Sequence, residues 1–133
     1  PFVIYHKVDK ITNKKNMTYL EKAKDIYKMI GEGKMMDAFE KYYSEDVFMQ
    51  ELGEEPRLGK AANRKYELDF LESVKEIHGA GITAMASNEE DKVVFIENWM
   101  DVSFKFNIRM KIIQVNVQNW EGDQIVKEVF YHK

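Results

Sequence analysis

Gln114, Asn116 and Gln118 stand at a spacing of two, interleaved with Ile113, Val115 and Val117. Side chains alternate across a strand, so the three amides share a face with Met110, Ile112 and Trp120. Each amide on a buried face must find hydrogen-bond partners. If that face lines a cavity, the amides would orient a ligand or ordered water. A slip of one residue would put them in solvent and make Ile113, Val115 and Val117 the core. Upstream, Glu51 closes an apolar run in register with Val47 and Met49. A carboxylate at the mouth of an apolar hollow has a raised pKa and suits proton transfer. The plainer account is a solvated acid beside Glu54 and Glu55. His78 lies on a face with Ala80, Ile82 and Ala84. It is a candidate site residue with Glu51 as partner, or else a satisfied core or interface histidine.

Other chemistries are excluded by what the chain lacks. It has no cysteine, so disulfides, thiolate catalysis and cysteine-ligated zinc do not arise. His6, His78 and His132 are too scattered for a metal site on spacing. Gly31-x-Gly33 and Gly79-x-Gly81 lack the rest of a dinucleotide fingerprint, and there is neither a P-loop nor a Gly-x-Ser-x-Gly elbow. The sequence therefore assigns no cofactor and no metal. Twenty Lys+Arg against 23 Asp+Glu give a net charge of −3, which offers no electrostatic footprint for nucleic acid. No apolar run approaches the roughly 20 residues that span a bilayer. A cytoplasmic protein without nucleic-acid or membrane partners is expected.

The 133 residues fit one domain, and 44% hydrophobic with 13% aromatic content supports a packed core. Residues 1–16 read as an N-terminal arm or extension, either packing on the surface or preceding Met17 as a gene-start remnant. Residues 17–133 read as the domain. Thr18-Tyr19-Leu20-Glu21 is a capping box. Leu20, Ala23, Tyr27 and Ile30 follow at helical spacing until Gly31-Glu32-Gly33. Met35, Ala38, Phe39 and Tyr42 mark a second helix. Asp46 to Leu52 reads as a strand, residues 54–59 as a loop, and Lys60 to Val74 as a third helix. Its stripe is Ala62, Tyr66, Phe70 and Val74, with Glu67, Asp69 and Glu72 largely off it. The period then becomes two, giving strands over Ile77–Ser87, Lys92–Lys105, Ile108–Trp120 and Gln124–His132. The plan is α+β: a curved antiparallel sheet with helices on one face. The Lys92–Lys105 strand is apolar on both faces, through Phe95 and Trp99 on one and Val94, Ile96 and Met100 on the other. Helices on one side and a second copy on the other are expected, so a homodimer through Val115, Val117 and Trp99.

The order of elements resembles the cone-shaped NTF2-like (cystatin-like) fold, and the local motifs are similar to its SnoaL-like group. They are Ile30-Gly31-Glu32-Gly33-Lys34, Tyr43-Ser44-Glu45-Asp46-Val47, Pro56-Arg57-Leu58-Gly59-Lys60 and Asn119-Trp120-Glu121-Gly122-Asp123-Gln124-Ile125-Val126. The resemblance covers roughly Met17 to His132. It implies three helices in the hollow of the sheet, and a fold that hosts isomerases, cyclases, hydrolases, dehydratases and binding modules alike. By resemblance to the ketosteroid isomerases, Glu51 takes the place of the general base, and Asn116 that of the acid facing the developing oxyanion. Their helix-one tyrosine falls on Ile26, one step from Tyr27. His132 stands where SnoaL-like cyclases carry an aspartate.

Within such a cone, parity predicts that Glu51, His78, Gln114, Asn116 and Gln118 converge on one cavity, with Tyr27, Met49 and Trp120 among its walls. Glu51 is the only carboxylate expected there. The functional expectation is binding of a small apolar or cyclic carbonyl-type molecule. The alternatives are acid/base turnover with Glu51 as base, and a non-catalytic protein-interaction module.

Overall fold

The computed structural model describes residues 16–132. Helix α1 (Tyr19–Gly31) starts at the expected capping box, with Thr18 accepting from the Glu21 N–H and Glu21 reaching back to the Thr18 N–H. The Glu89 carboxylate, from a distant turn, accepts from the Tyr19 and Leu20 N–H groups at 2.8 and 3.1 Å. A carboxylate at a helix N-terminus complements the dipole, and here it also fixes the helix to the sheet. Gly33 takes φ +78° and turns the chain into α2 (Met35–Tyr42), which buries Ala38, Phe39 and Tyr42. There follow β1 (Tyr43–Glu51), β2 (Arg57–Leu58), α3 (Lys60–Ser73), β3 (Val74–Asn88), β4 (Val93–Phe104), β5 (Arg109–Glu121) and β6 (Gln124–His132).

The six strands form one sheet in the order β2-β1-β6-β5-β4-β3. β3 to β6 are the expected antiparallel meander, while β1 joins it parallel to β6. Residues 54–59, read as a loop, contain β2, which pairs antiparallel with the end of β1. The sheet curves around the helices, and the core between them holds Ala23, Ile26, Phe39, Tyr42, Val47, Ile96 and Trp120. Trp120 closes one end of the hollow, with Tyr42 edge-on at 5.8 Å and Tyr19 at 6.0 Å.

Register settles which face is inside. Ile96 pairs with Asn116, and both are fully buried, so the even-numbered face of β5 is concave and Val115 and Val117 lie on the convex side. Along β3 the alternation fails. Its register to β4 shifts between Val74 and Glu76, between Ile77 and Gly79, and between Ile82 and Ala84. Each bulge adds a residue and bends the edge of the sheet. The shift at His78 carries that side chain out of the hollow, and the shift after Ile82 moves Ala84 to the convex face. The stripe of α3 also differs from expectation. Lys60 and Asn63 are buried, Glu67 and Phe70 are partly buried, and Ala62 and Tyr66 face out.

On the convex face the Trp99 indole lies across β3 above Gly79 and Gly81, with Lys111 Nζ 5.0 Å from its ring. This explains the Gly-Ala-Gly run, because a Cβ at Gly81 would stand 2.8 Å from Trp99 Nε1. Gly81→Ala should therefore lower stability by about 1–3 kcal/mol, as overpacking typically does. In a Trp99→Ala background the same change should cost almost nothing. Urea unfolding of the double-mutant cycle checks this, and an equal loss in both backgrounds would contradict it.

Candidate functional site

Asn63, buried on α3, grips the β2 segment: its Nδ2 donates to the Arg57 and Gly59 carbonyls at 3.0 and 2.8 Å. Its Oδ1 accepts from Arg57 Nε at 3.0 Å. Arg57 is thereby aimed at β1, where its Nη2 lies 3.1 Å from Glu51 Oε2. The guanidinium also stacks on Tyr66 at 3.6 Å. His132 Nε2 approaches the other Glu51 oxygen at 3.7 Å. Glu51 does face the hollow, as its pairing with Phe130 requires. It is not a lone carboxylate at an apolar mouth, because an arginine is locked onto it.

The amides face the hollow as parity predicts, but they are not free. Gln114 Nε2 donates to Asn98 Oδ1 at 3.1 Å, and Asn98 Nδ2 donates to Asn116 Oδ1 at 2.7 Å. Asn116 Nδ2 donates to Glu128 Oε2 at 2.7 Å and to the Tyr27 hydroxyl at 3.0 Å. From the other end, Trp120 Nε1 donates to Gln118 Oε1 at 3.2 Å, and Gln118 Nε2 donates to Glu128 Oε2 at 3.0 Å. The Tyr43 hydroxyl donates to Glu128 Oε1. The chain of donors thus ends on Glu128, which is 1% exposed. Both N–H groups of Asn116 are engaged, so the expected oxyanion donor has none left to offer. Gln118 and Trp120 are buried structural members of the same chain, and Met49 packs in the core. Tyr27, one step from the expected register, does reach the polar line.

His78 is absent from this group. Strands β6, β5 and β4 separate β3 from β1. Its Nε2 meets Ser103 Oγ at 2.7 Å and its Nδ1 lies 3.7 Å from Glu76. The bulge at this point accounts for the departure.

Two carboxylates stand in the hollow where the sequence pattern places only Glu51. Glu128 is raised by burial, and the hydrogen bonds from Tyr43, Gln118 and Asn116 oppose that rise. Glu67, on the inner side of α3, makes no hydrogen bond among the described residues. Burial pushes it up to about 7 from the ordinary 4.5; the Glu128 charge adds to the rise and Arg57 opposes it. Its signal was spacing: Asn63, Glu67, Phe70 and Val74 recur at helical intervals, so Glu67 lies on the Phe70 stripe. Glu128 was signalled by three amides on β5, which need an acceptor from a neighbouring strand. The Tyr27 hydroxyl is raised by burial and by the Glu128 charge, so it keeps its proton. Among the described residues, no group of three His, Asp or Glu side chains is arranged to hold a metal ion.

Residues 17–132 match the sequence profile of the SnoaL-like domain. The chain belongs to the SnoaL-like family. It resembles a candidate SnoaL-like polyketide cyclase from Mesorhizobium loti, with 27% identity and a TM-score of 0.76 over 86% of this chain and 99% of that one. A candidate isomerase from Bacillus subtilis is 16% identical, with a TM-score of 0.74 over 88% and 90% of the two chains. A cystatin-fold protein from Novosphingobium aromaticivorans is 18% identical, with a TM-score of 0.72 over 86% and 98%. No functionally curated protein matches the chain. The expected cystatin-like, NTF2-like fold is thus the fold of this SnoaL-like protein. The expected arm over residues 1–16 falls almost wholly outside the described residues.

A raised carboxyl pKa has a definite sign for stability. The folded protein holds the Glu67 proton to a higher pH than the unfolded chain does, so stability falls as pH rises from about 4.5 to about 7. Glu67→Gln removes that loss. The variant should gain about 1–3 kcal/mol more over wild type at pH 8 than at pH 5, since a tenfold change in proton affinity is worth about 1.4 kcal/mol. Urea unfolding at the two pH values reads this directly. An equal difference at both would show that Glu67 is not a buried acid.

Proposed function

We propose that this SnoaL-like protein binds a small, largely apolar carbonyl compound at the uncovered end of its cone. The observation that carries this reading is a set of apolar side chains on the concave face that the helices leave open. Ile77, Ile82 and Met110 are 53%, 41% and 47% exposed, yet they pair across the sheet with the concave positions Val102, Asn98 and Val102 respectively. Gln114 and Tyr27 stand at the inner border of this patch. The Tyr27 hydroxyl accepts from Asn116 Nδ2 at 3.0 Å and donates to Asn116 Oδ1 at 3.3 Å, and a bound carbonyl oxygen would take over the longer of these two bonds. The M. loti relative's description as a candidate polyketide cyclase fits a cyclic carbonyl ligand. Acid/base turnover is the second reading, and the Glu67 carboxyl, near neutrality, favours it. A cytoplasmic location accords with a chain that has no cysteine and, among the described residues, no helix long and apolar enough to cross a membrane.

Native mass spectrometry of the purified protein should reveal a co-purified neutral ligand, and saturation-transfer NMR should detect binding of 4-phenylcyclohexanone. Ile82→Glu should weaken that binding by an order of magnitude or more, because a charge enters an apolar wall. Unchanged affinity in the variant would rule out this end of the cone.

The convex face supports a homodimer. Phe95, Ile113 and Tyr131 are 43%, 62% and 45% exposed there, beside Val115 and Val117. Ile113, Val115 and Tyr131 border an open depression of about 390 Å³, and Phe95 and Val115 border a second of about 180 Å³. Adjacent exposed apolar groups of this kind mark interaction surfaces, and with the helices all on the concave side a second copy is the simplest cover for the convex one. Trp99 is folded onto its own β3, so it takes a lesser part than its type alone implies. Light scattering should return twice the 15.7 kDa chain mass, and Phe95→Glu should return the monomer. A monomeric wild type at micromolar concentration would refute the dimer.

A further inference from the structure

On the convex side, away from the hollow, the edge strand β3 and its neighbour β4 bring a glutamate, a histidine and a serine together. Glu76 pairs with Ser103 across the ladder, so the two side chains stand on one face. The register then shifts between Ile77 and Gly79, and His78 is presented on that same face. Bulges beside functional groups commonly re-aim one side chain in this way. His78 Nε2 comes to 2.7 Å from Ser103 Oγ, and His78 Nδ1 to 3.7 Å from Glu76 Oε2. A carboxylate beside Nδ1 favours the proton on that nitrogen, which leaves Nε2 bare to accept from the Ser103 hydroxyl. A serine that donates to a histidine, itself oriented by a carboxylate, is an activated nucleophile. The longer of the two contacts tightens once positive charge develops on the imidazole.

Two further features border this group. Arg109 of β5 stands directly across from Ser103. Its Nε and Nη2 donate to Asp101 at 3.0 and 2.9 Å, which holds the guanidinium on the convex face. Its Nη1 makes no hydrogen bond among the described residues, so donors remain for an oxygen that gains charge. On the other side, the Trp99 indole lies over Gly79, the residue after His78, and offers an aromatic platform. Ser103 is half-buried, while His78 and Arg109 are exposed, so the group is open to solvent.

We propose that Ser103, His78 and Glu76 form a second site on the convex edge, an esterase centre for small activated aryl esters whose ring rests on Trp99. It goes beyond the ligand of the cone and does not depend on it. In the first step Ser103 Oγ bonds to the ester carbonyl carbon, and its proton passes to His78 Nε2. The carbonyl π pair moves onto oxygen, which accepts from Arg109. As that pair returns, the bond from the carbonyl carbon to the aryloxy oxygen breaks, and that oxygen takes the proton from His78. A phenol leaves and the acyl group stays on Ser103. Solvent water then attacks the acyl carbon and gives a proton to His78. The bond to Oγ breaks, the proton returns to Ser103, and the acid departs. The sum is ester plus water giving acid plus phenol. The open face selects the class: with little enclosure to bind and orient a substrate, the leaving group must be a good one, which aryl esters supply and amides do not.

The probe is p-nitrophenyl acetate. The wild-type protein should release nitrophenol in a burst that matches its own concentration, followed by slower turnover. Peptide mass spectrometry of acid-quenched protein should find an acetyl group on Ser103. Ser103→Ala should lose both burst and label, and His78→Gln should slow acylation by about a hundredfold or more, the usual worth of a general base. Labelling of Ser103 by phenylmethanesulfonyl fluoride in the wild-type protein gives a reading that needs no variant to fold. Nitrophenol release by Ser103→Ala at the wild-type rate would overturn the proposal. So would acetyl groups confined to lysines, or a wild type no faster than buffer. Either result would leave the His78–Ser103 bond as a tie across the bulge and nothing more.

Discussion

A carboxylate taken wholly out of water must be met by donors, by a cation or by a proton. Glu128, at the centre of the hollow, is met by donors, and much of the polar structure follows from that. Tyr43 of β1 and Asn116 and Gln118 of β5 donate to it; behind them, Asn98 donates to Asn116 and the Trp120 indole to Gln118. Each amide is thereby oriented, with its carbonyl toward the donor behind and its N–H toward Glu128. Gln114, Asn98, Asn116, Gln118 and Trp120 read as one array with one terminus. Removing the acceptor would leave three buried donors without a partner, a larger loss than any single hydrogen bond supplies. The same array ties β4, β5 and β6 together through side chains as well as backbone.

The array also sets the electrostatics of its surroundings. A buried negative charge makes every nearby acid harder to ionise and every nearby phenol harder to deprotonate. Tyr43, Tyr27 and Glu67 are raised first by their own burial, and the Glu128 charge adds to each rise. Arg57 is the one cation directly set against these carboxylates among the described residues, and Asn63 aims it at Glu51. Glu51 is thus met by a cation and Glu128 by donors, while Glu67 has neither among the described residues.

How much of this could be read from the chain depends on how local the determinants are. The capping box at Thr18, the glycine stop after Ile30 and the meander from β3 to β6 rest on neighbours in sequence, and they appear where the sequence places them. The concave side of β5 was legible because strict alternation links Gln114 to Trp120 across an unbulged stretch. His78 was not legible, since a bulge one residue wide reverses everything beyond it and leaves no residue-type signature of its own. Glu67 was hidden by its type: on an amphipathic helix a glutamate is assigned to water, and only the Phe70 spacing argues otherwise. The pairing of Arg57 with Glu51 was hidden although only six residues separate them, because β2 is two residues long and exists only through its pairing with β1.

Element lengths explain why the cone is filled at one end and uncovered at the other. Helices α1 and α3 have 13 and 14 residues, so each spans about 20 Å at 1.5 Å per residue. β3 has 15 residues and would run to about 50 Å if extended, less where its bulges coil it. No single helix can cover such a strand. α1 is fastened by Glu89 at the β3–β4 turn and by Lys22 to Asp123 at the β5–β6 turn, which commits it to the Trp120 end. α3 is fastened by Asn63 to β2 at its start and by Phe70 against Phe104 near its end. The concave surface between these anchor points, around Ile82 and Gln114, is left to whatever the cone receives. Its apolar side chains stay uncovered because the covering elements are too short and already tied elsewhere, which makes the opening a consequence of the fold's dimensions.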